Sequence, residues 1–347
     1  MAMGWSGLTS DVLSLVYNRL SFADFARAKT VCSSWYSVSR SSSPRKINVP
    51  WLIFKQDRNW KLFDPEEGKF YTTQISRLGF ADCSSVATCG NWVLVTDNIY
   101  LYMVNPFTLE IIIDLPPLKP YGKFKILDNC PIHFNYGLAS RQSAEVKSAV
   151  LWVDERTKDY LVVWWSRGSD CIRFCVKGDE EWTITPGDYR YVDHMVYKDK
   201  KVYILTAYGR GIRILDFSQD FPREVFNHPY LNRGFRFGSW DDRPKMRLTT
   251  SGDVLMICRV PQSHKKFQLK VYKMNSTNED WEIVNSLDEV EALAWDFCDY
   301  YWDCCDYFWD YESSFLKAST YEILTQKIQR LRDMVGVSDE RWFLPCF

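Results

Sequence analysis

The sequence predicts an α+β multidomain chain: a small all-α head, a mainly-β body of propeller type, and a helix near the C-terminus. Three observations predict it. Apolar residues near the N-terminus recur at helical spacing, while beyond residue 47 they gather into short β-branched and aromatic runs bounded by Asn, Asp, Gly and Pro. A turn of the form Asp/Asn-Pro recurs within those runs, at Asp64-Pro65 and Asn105-Pro106. Near the C-terminus a helical stripe returns at Leu324, Ile328, Leu331 and Val335.

The head occupies residues 5–40 and reads as three short helices. Thr9 or Ser10 is placed to cap the first, with Asp11 in its first turn and Val12, Leu13, Val16 and Leu20 as the apolar stripe. Ser21 and Asp24 have the spacing of a capping box at the start of the second helix, which turns Phe25, Ala28 and Val31 inward. Thr30 is placed to cap a third, holding Cys32 and Trp35. A piece this small cannot bury a large core alone, so a partner or the following domain must cover part of its apolar surface.

The pattern Leu8-x-x-Asp11-Val12-Leu13-x-x-Val16, then Leu20, Asp24, Arg27-Ala28 and Val31-Cys32-x-x-Trp35, resembles an F-box over the whole motif. Thr9 stands where that family usually has Pro. The resemblance implies binding to a Skp-type adaptor and, through it, a cullin-RING ubiquitin ligase. It implies no catalytic residue in this chain; the contribution is proximity, holding a target near a charged conjugating enzyme. Leu8, Val12, Leu13, Val16, Leu20, Phe25, Val31 and Trp35 are then the residues expected at the adaptor interface or supporting it.

Residues 41–47 read as a linker, and 48–294 as the β-rich body. Strands are expected at 51–54 (WLIF), 92–95 (WVLV), 99–104 (IYLYMV), 160–165 (YLVVWW), 201–205 (KVYIL) and 253–257 (DVLMI). Asp64 and Asn105 mark equivalent points, and 212–216 and 270–274 look like later copies. A repeat of about 40–50 residues built from antiparallel strands suggests five or six propeller blades; an irregular pair of β-sandwiches is the alternative. Aromatics make up 16 % of the chain, and most are expected between blade sheets.

The runs 49–53 (VPWLI), 90–95 (GNWVLV), 105–108 (NPFT), 178–182 (GDEEW) and 194–203 (HMVYKDKKVY) are similar to the plant F-box-associated domain of unknown function 295. That resemblance implies a kelch-like body that binds a protein target. It also implies a closing strand set, which is not found in the sequence, so whether the ring closes is left open.

Residues 295–312 form an acidic-aromatic repeat in which Trp295, Trp302 and Trp309 recur every seven residues. Asp299, Asp303, Asp306 and Asp310 would share one helical face, as a cation site, a dock for a basic partner, or a lightly constrained repeat. Residues 313–347 are expected as a helical tail, capped by Ser319 or Thr320 and stopped near Gly336.

The remaining features exclude more than they assign. The net charge is -1, against the basic field that nucleic acid or an anionic membrane requires. No apolar run approaches the ~18–20 residues of a membrane helix, and residues 1–7 carry no secretory pattern. The 11 cysteines are expected as reduced thiols, with Cys171 and Cys175 lacking a second pair at zinc spacing. His133, His194, His228 and His264 match no catalytic or metal-binding spacing. The expectation is a non-enzyme with no cofactor and no metal, working in the cytoplasm or nucleus.

Overall fold

The computed structural model describes residues 7–20, 22–42, 51–64, 68–97, 99–112, 115–118, 124–126, 146–166, 169–186, 189, 191–206, 211–219, 221–225, 245–249, 252–263, 266–275, 280–284 and 338–343.

Three helices form the head: α1 (Ser10–Tyr17), α2 (Phe22–Ala28) and α3 (Ser33–Ser39). Thr9 caps α1 with extended backbone but makes no side-chain cap bond. Ser21 of the expected capping box lies outside the described residues; its partner Asp24 pairs with Arg27 at 2.9 Å. Thr30 is not the cap of α3. Its hydroxyl donates back to the Arg27 carbonyl at 2.7 Å, and Cys32 holds the cap position.

The described strands of the body form five sheets, which are the blades of a propeller. The first contains β1 (Trp51–Gln56), β2 (Asn59–Asp64) and β3 (Lys69–Thr72). The second contains β4 (Ser84–Cys89), β5 (Trp92–Thr96), β6 (Leu101–Val104) and β7 (Ile111–Ile112). The short β8 (Phe124–Ile126) precedes the third blade, β9 (Val146–Val153), β10 (Tyr160–Ser166), β11 (Cys171–Val176) and β12 (Trp182–Pro186), and pairs parallel to its outer strand β12. The fourth is β13 (Val192–Lys198), β14 (Lys201–Thr206), β15 (Gly211–Asp216) and β16 (Arg223–Glu224). The fifth is β17 (Lys245–Leu248), β18 (Val254–Ser263), β19 (Lys266–Asn275) and β20 (Asp280–Ile283).

The ring is closed by a strand absent from the sequence reading. β21 (Ser338–Phe343) pairs antiparallel with β1, with Trp51 opposite Phe343 and Leu52 opposite Trp342, and becomes the inner strand of the first blade. Part of the stretch expected as a helical tail is therefore a strand. The stripe Leu324, Ile328, Leu331 and Val335 and the repeat 295–312 lie outside the described residues. One strand is also shorter than expected: Ile99 and Tyr100 belong to a turn, because Asp97 Oδ1 accepts both of their backbone N–H groups at 2.8 and 2.7 Å.

Between consecutive blades lie apolar cores rich in tryptophan, which accounts for much of the aromatic content. Trp51, Trp60, Val93 and Val95 fill the first junction; Trp92, Leu94, Trp164 and Trp182 the second. Val163, Trp165, Met195 and Ile204 fill the third; Ile214, Leu205, Met246 and Met256 the fourth. Three of the indoles bond backbone carbonyls: Trp60 to Phe80 at 2.8 Å, Trp165 to Ser169 at 2.9 Å and Trp182 to Pro116 at 3.0 Å. Trp92 and Trp164 make no such bond but each carries a cation on its ring, Lys158 and Arg173, both at 4.8 Å. His194 is structural: its Nδ1 accepts the Met246 N–H at 3.3 Å, joining blades four and five.

A turn recurs around the ring. Asn105 Oδ1 accepts from the N–H of Phe107 and Thr108, and Asp154 Oδ1 accepts from Arg156 and Thr157. Each turn then passes through a residue with positive φ, Leu109 (62°) and Lys158 (56°). Asp64 is followed at the same offset by Gly68 (65°), the residue that adopts this conformation without strain.

The two ends of the barrel-shaped ring differ. At one end are the tight turns 90–91, 105–110, 154–159, 177–181 and 199–200, and there the chain enters β1 from the linker. At the other are the turns after β1, β5 and β10 and the connections from each outer strand to the next blade, including 73–83, 113–145, 225–244 and 284–337.

Candidate functional site

The head closes a small core of its own. Leu13 and Tyr17, one turn apart on α1, meet Phe25 and Ala28 of α2 and Trp35 of α3. The Tyr17 ring lies edge-on to Phe25 at 4.9 Å, and burial raises its phenol pKa, with the Cys32 thiol adding a smaller push in the same direction. Lys29 lies over the Phe25 ring at 4.7 Å, and burial lowers its pKa.

This packing divides the eight residues expected at the interface. Leu13, Phe25 and Trp35 are 1 %, 2 % and 7 % exposed, so they support the head and have no surface to offer a partner. Leu8, Val16 and Leu20 are half-buried against that core. Val12 and Val31 are 43 % and 56 % exposed. Two further apolar residues were missed by the sequence reading: Leu15 at 62 % and Tyr36 at 57 % exposure. Val12 and Leu15 stand three residues apart and so share one face of α1. The spacing signal that could have found Leu15 is its place opposite the Leu13–Tyr17 stripe, where a solvated helix would carry a polar residue.

A module this short with four large apolar side chains in water has an incomplete surface, and the arrangement can bind a partner. Among the described residues no cluster of three or more His, Cys, Asp or Glu side chains is placed to hold a metal ion. Cys171 and Cys175 are buried free thiols on one face of β11, and burial pushes the Cys175 pKa up.

Comparison with known proteins places both parts. The F-box domain model matches residues 5–47, and the KIB1-4 beta-propeller model matches residues 62–301. An Arabidopsis thaliana F-box protein, At1g10110, is 43 % identical over 390 aligned residues, covering 99 % of this chain and 96 % of its own. A second from the same plant, the probable F-box protein At4g22060, is 32 % identical over 391 residues, with the same shares covered. An apolar-faced three-helix head, a five-bladed ring and these matches agree, and the chain belongs to the F-box proteins whose body is a KIB1-4 β-propeller.

Proposed function

We propose that this chain is the substrate-recognition subunit of an SCF-type ubiquitin ligase. In this reading the head binds a Skp-type adaptor, the propeller binds a protein target, and the chain itself supplies no catalytic group or cofactor. The observation that carries it is the exposure of four large apolar side chains, Val12, Leu15, Val31 and Tyr36, on a head whose own core is already filled. Family membership supports the same division of labour. The body is read as kelch-like, of the domain of unknown function 295 kind, and the site of action as cytoplasm or nucleus.

The test is co-purification of the full chain with a Skp-type adaptor. Leu15→Asp removes the adaptor while the propeller stays folded by circular dichroism. Wild-type chain that fails to bind any adaptor would instead assign a target-binding propeller with a head that no longer recruits a ligase.

A further inference from the structure

The end of the propeller remote from the linker carries a surface that the fold does not use. Leu78 ends a 3-10 turn (Ile75–Leu78) in the connection between the first two blades, and Ile99 and Tyr100 form the turn after β5. These three are 39 %, 40 % and 40 % exposed. Aromatic contacts link the two turns: Phe80, two residues after Leu78, meets Tyr102 at 5.0 Å, and Tyr102 meets Tyr100 at 6.1 Å. The Leu118 N–H donates to the Ile99 carbonyl at 2.7 Å, which brings exposed Pro117 alongside. Asp97 fixes the turn by accepting from Ile99, Tyr100 and the Tyr102 hydroxyl. The patch is thus a built, rigid feature. Exposed Arg77 precedes Leu78 on its rim, while the neighbouring Arg58 is already paired with Asp82.

The position of the patch adds to its composition. The chain leaves the linker at Trp51, at the opposite end of the ring, so a partner here does not meet the point where the head is joined. Exposed apolar side chains on neighbouring turns, with a cation next to them in the chain, fit an apolar anchor beside a carboxylate.

We propose that this surface is the target-docking site, and that it takes a protein segment presenting an aliphatic or aromatic side chain next to an acidic one. The proposal rests on the reading of the chain as a substrate receptor, and it names the face and the chemistry.

The experiment selects a display library of random twelve-residue peptides on the full chain bound to its adaptor. Selected peptides are expected to pair Leu, Ile, Phe or Trp with an adjacent Asp or Glu. Tyr100→Asp and Leu78→Asp should each weaken the selected peptides at least tenfold, and Arg77→Glu should shift a fresh selection from acidic to basic neighbours. Phe221→Asp and Val176→Asp, at the other end of the ring, should leave binding unchanged. Peptides indifferent to all three patch variants would overturn the proposal, as would peptides lost with Phe221→Asp or Val176→Asp. Peptides that bind only after residues 285–337 are deleted would overturn it in favour of occupation by the chain's own segment. Loss of the adaptor complex in wild-type chain would count against the receptor reading itself, and retention of the adaptor by every variant keeps the two failures apart.

Discussion

The Tyr17 hydroxyl donates to the backbone carbonyl of Trp35 at 2.9 Å, and the two rings meet edge-on with centroids 5.8 Å apart. One side chain of α1 thereby fixes α3 by a polar and an apolar contact at once. Tyr17→Phe keeps the ring but leaves a buried carbonyl without its donor, at a cost of about 1–2 kcal/mol. The expected result is amide exchange of α1 and α3 faster by about 5–30-fold in the full chain, with exchange in the propeller unchanged.

Leu13 and Leu15 offer a sharper contrast, because two leucines on one helix face opposite ways. Leu13→Ala should loosen the head by about 2–5 kcal/mol through lost packing, and reduce adaptor binding only as far as the head unfolds. Leu15→Ala should weaken the adaptor without changing amide exchange in α1 of the free chain. Equal exchange in both variants would contradict the division drawn from their burial.

Leu109 sits at φ 62° in a turn whose first-blade counterpart has glycine at the same place. A left-handed conformation costs a residue with a Cβ roughly 1–2 kcal/mol, partly offset by the chain freedom glycine loses on folding. Leu109→Gly should therefore raise stability slightly, by about 0.5–1 kcal/mol, read as a higher denaturation midpoint. Gly68→Leu should lower it.

Tyr102 gives a pH dependence. Burial raises its phenol pKa from 10 to about 12, the hydrogen bond to Asp97 and the Asp97 charge add to the push, and Cys83 and Tyr100 contribute less. The folded state therefore favours the protonated phenol. Its stabilising effect is complete below pH 10 and is lost as pH rises through about 12. Stability measured by urea melts across that window should fall for wild type and fall less steeply for Tyr102→Phe.

The closing strand supplies a prediction about the whole ring. Chain ended at residue 337 lacks one of the two partners of β1, whose Trp51, Leu52 and Ile53 are buried. The truncated chain should lose the cooperative unfolding transition of the body and aggregate through that open edge. Adaptor binding, which the proposed function assigns to the head, should persist.

Strand positions were legible where the chemistry is concentrated. Runs such as WVLV at 92–95 are apolar on both faces because each blade packs between two others, so they stand out without alternation. The equivalence of Asp64 and Asn105 was legible because a short acceptor side chain is needed to hold the same turn. Ser338–Phe343 was not, since its first four residues are polar and it is remote in sequence from the blade it completes. Ile99 and Tyr100 were misread because their apolarity continues the following strand, while Asp97 bends the backbone away from it. In the head, the helical period identified α1 but could not tell Val12 from Leu13. That choice depends on which face α3 covers, and the contact between them spans residues far apart in sequence.

Closure by the last strand also sets an order of events during synthesis. The head emerges from the ribosome first, and at about 5–20 residues per second the closing strand follows it by roughly 15–60 seconds. Throughout that interval the exposed side chains of Leu15 and Tyr36 are available while the ring is still open. Adaptor captured in that window would be carried by a receptor that has not yet formed its body. On the proposed ligase reading, the abundance of free adaptor would then govern how many nascent chains join a ligase before they can hold anything to be modified.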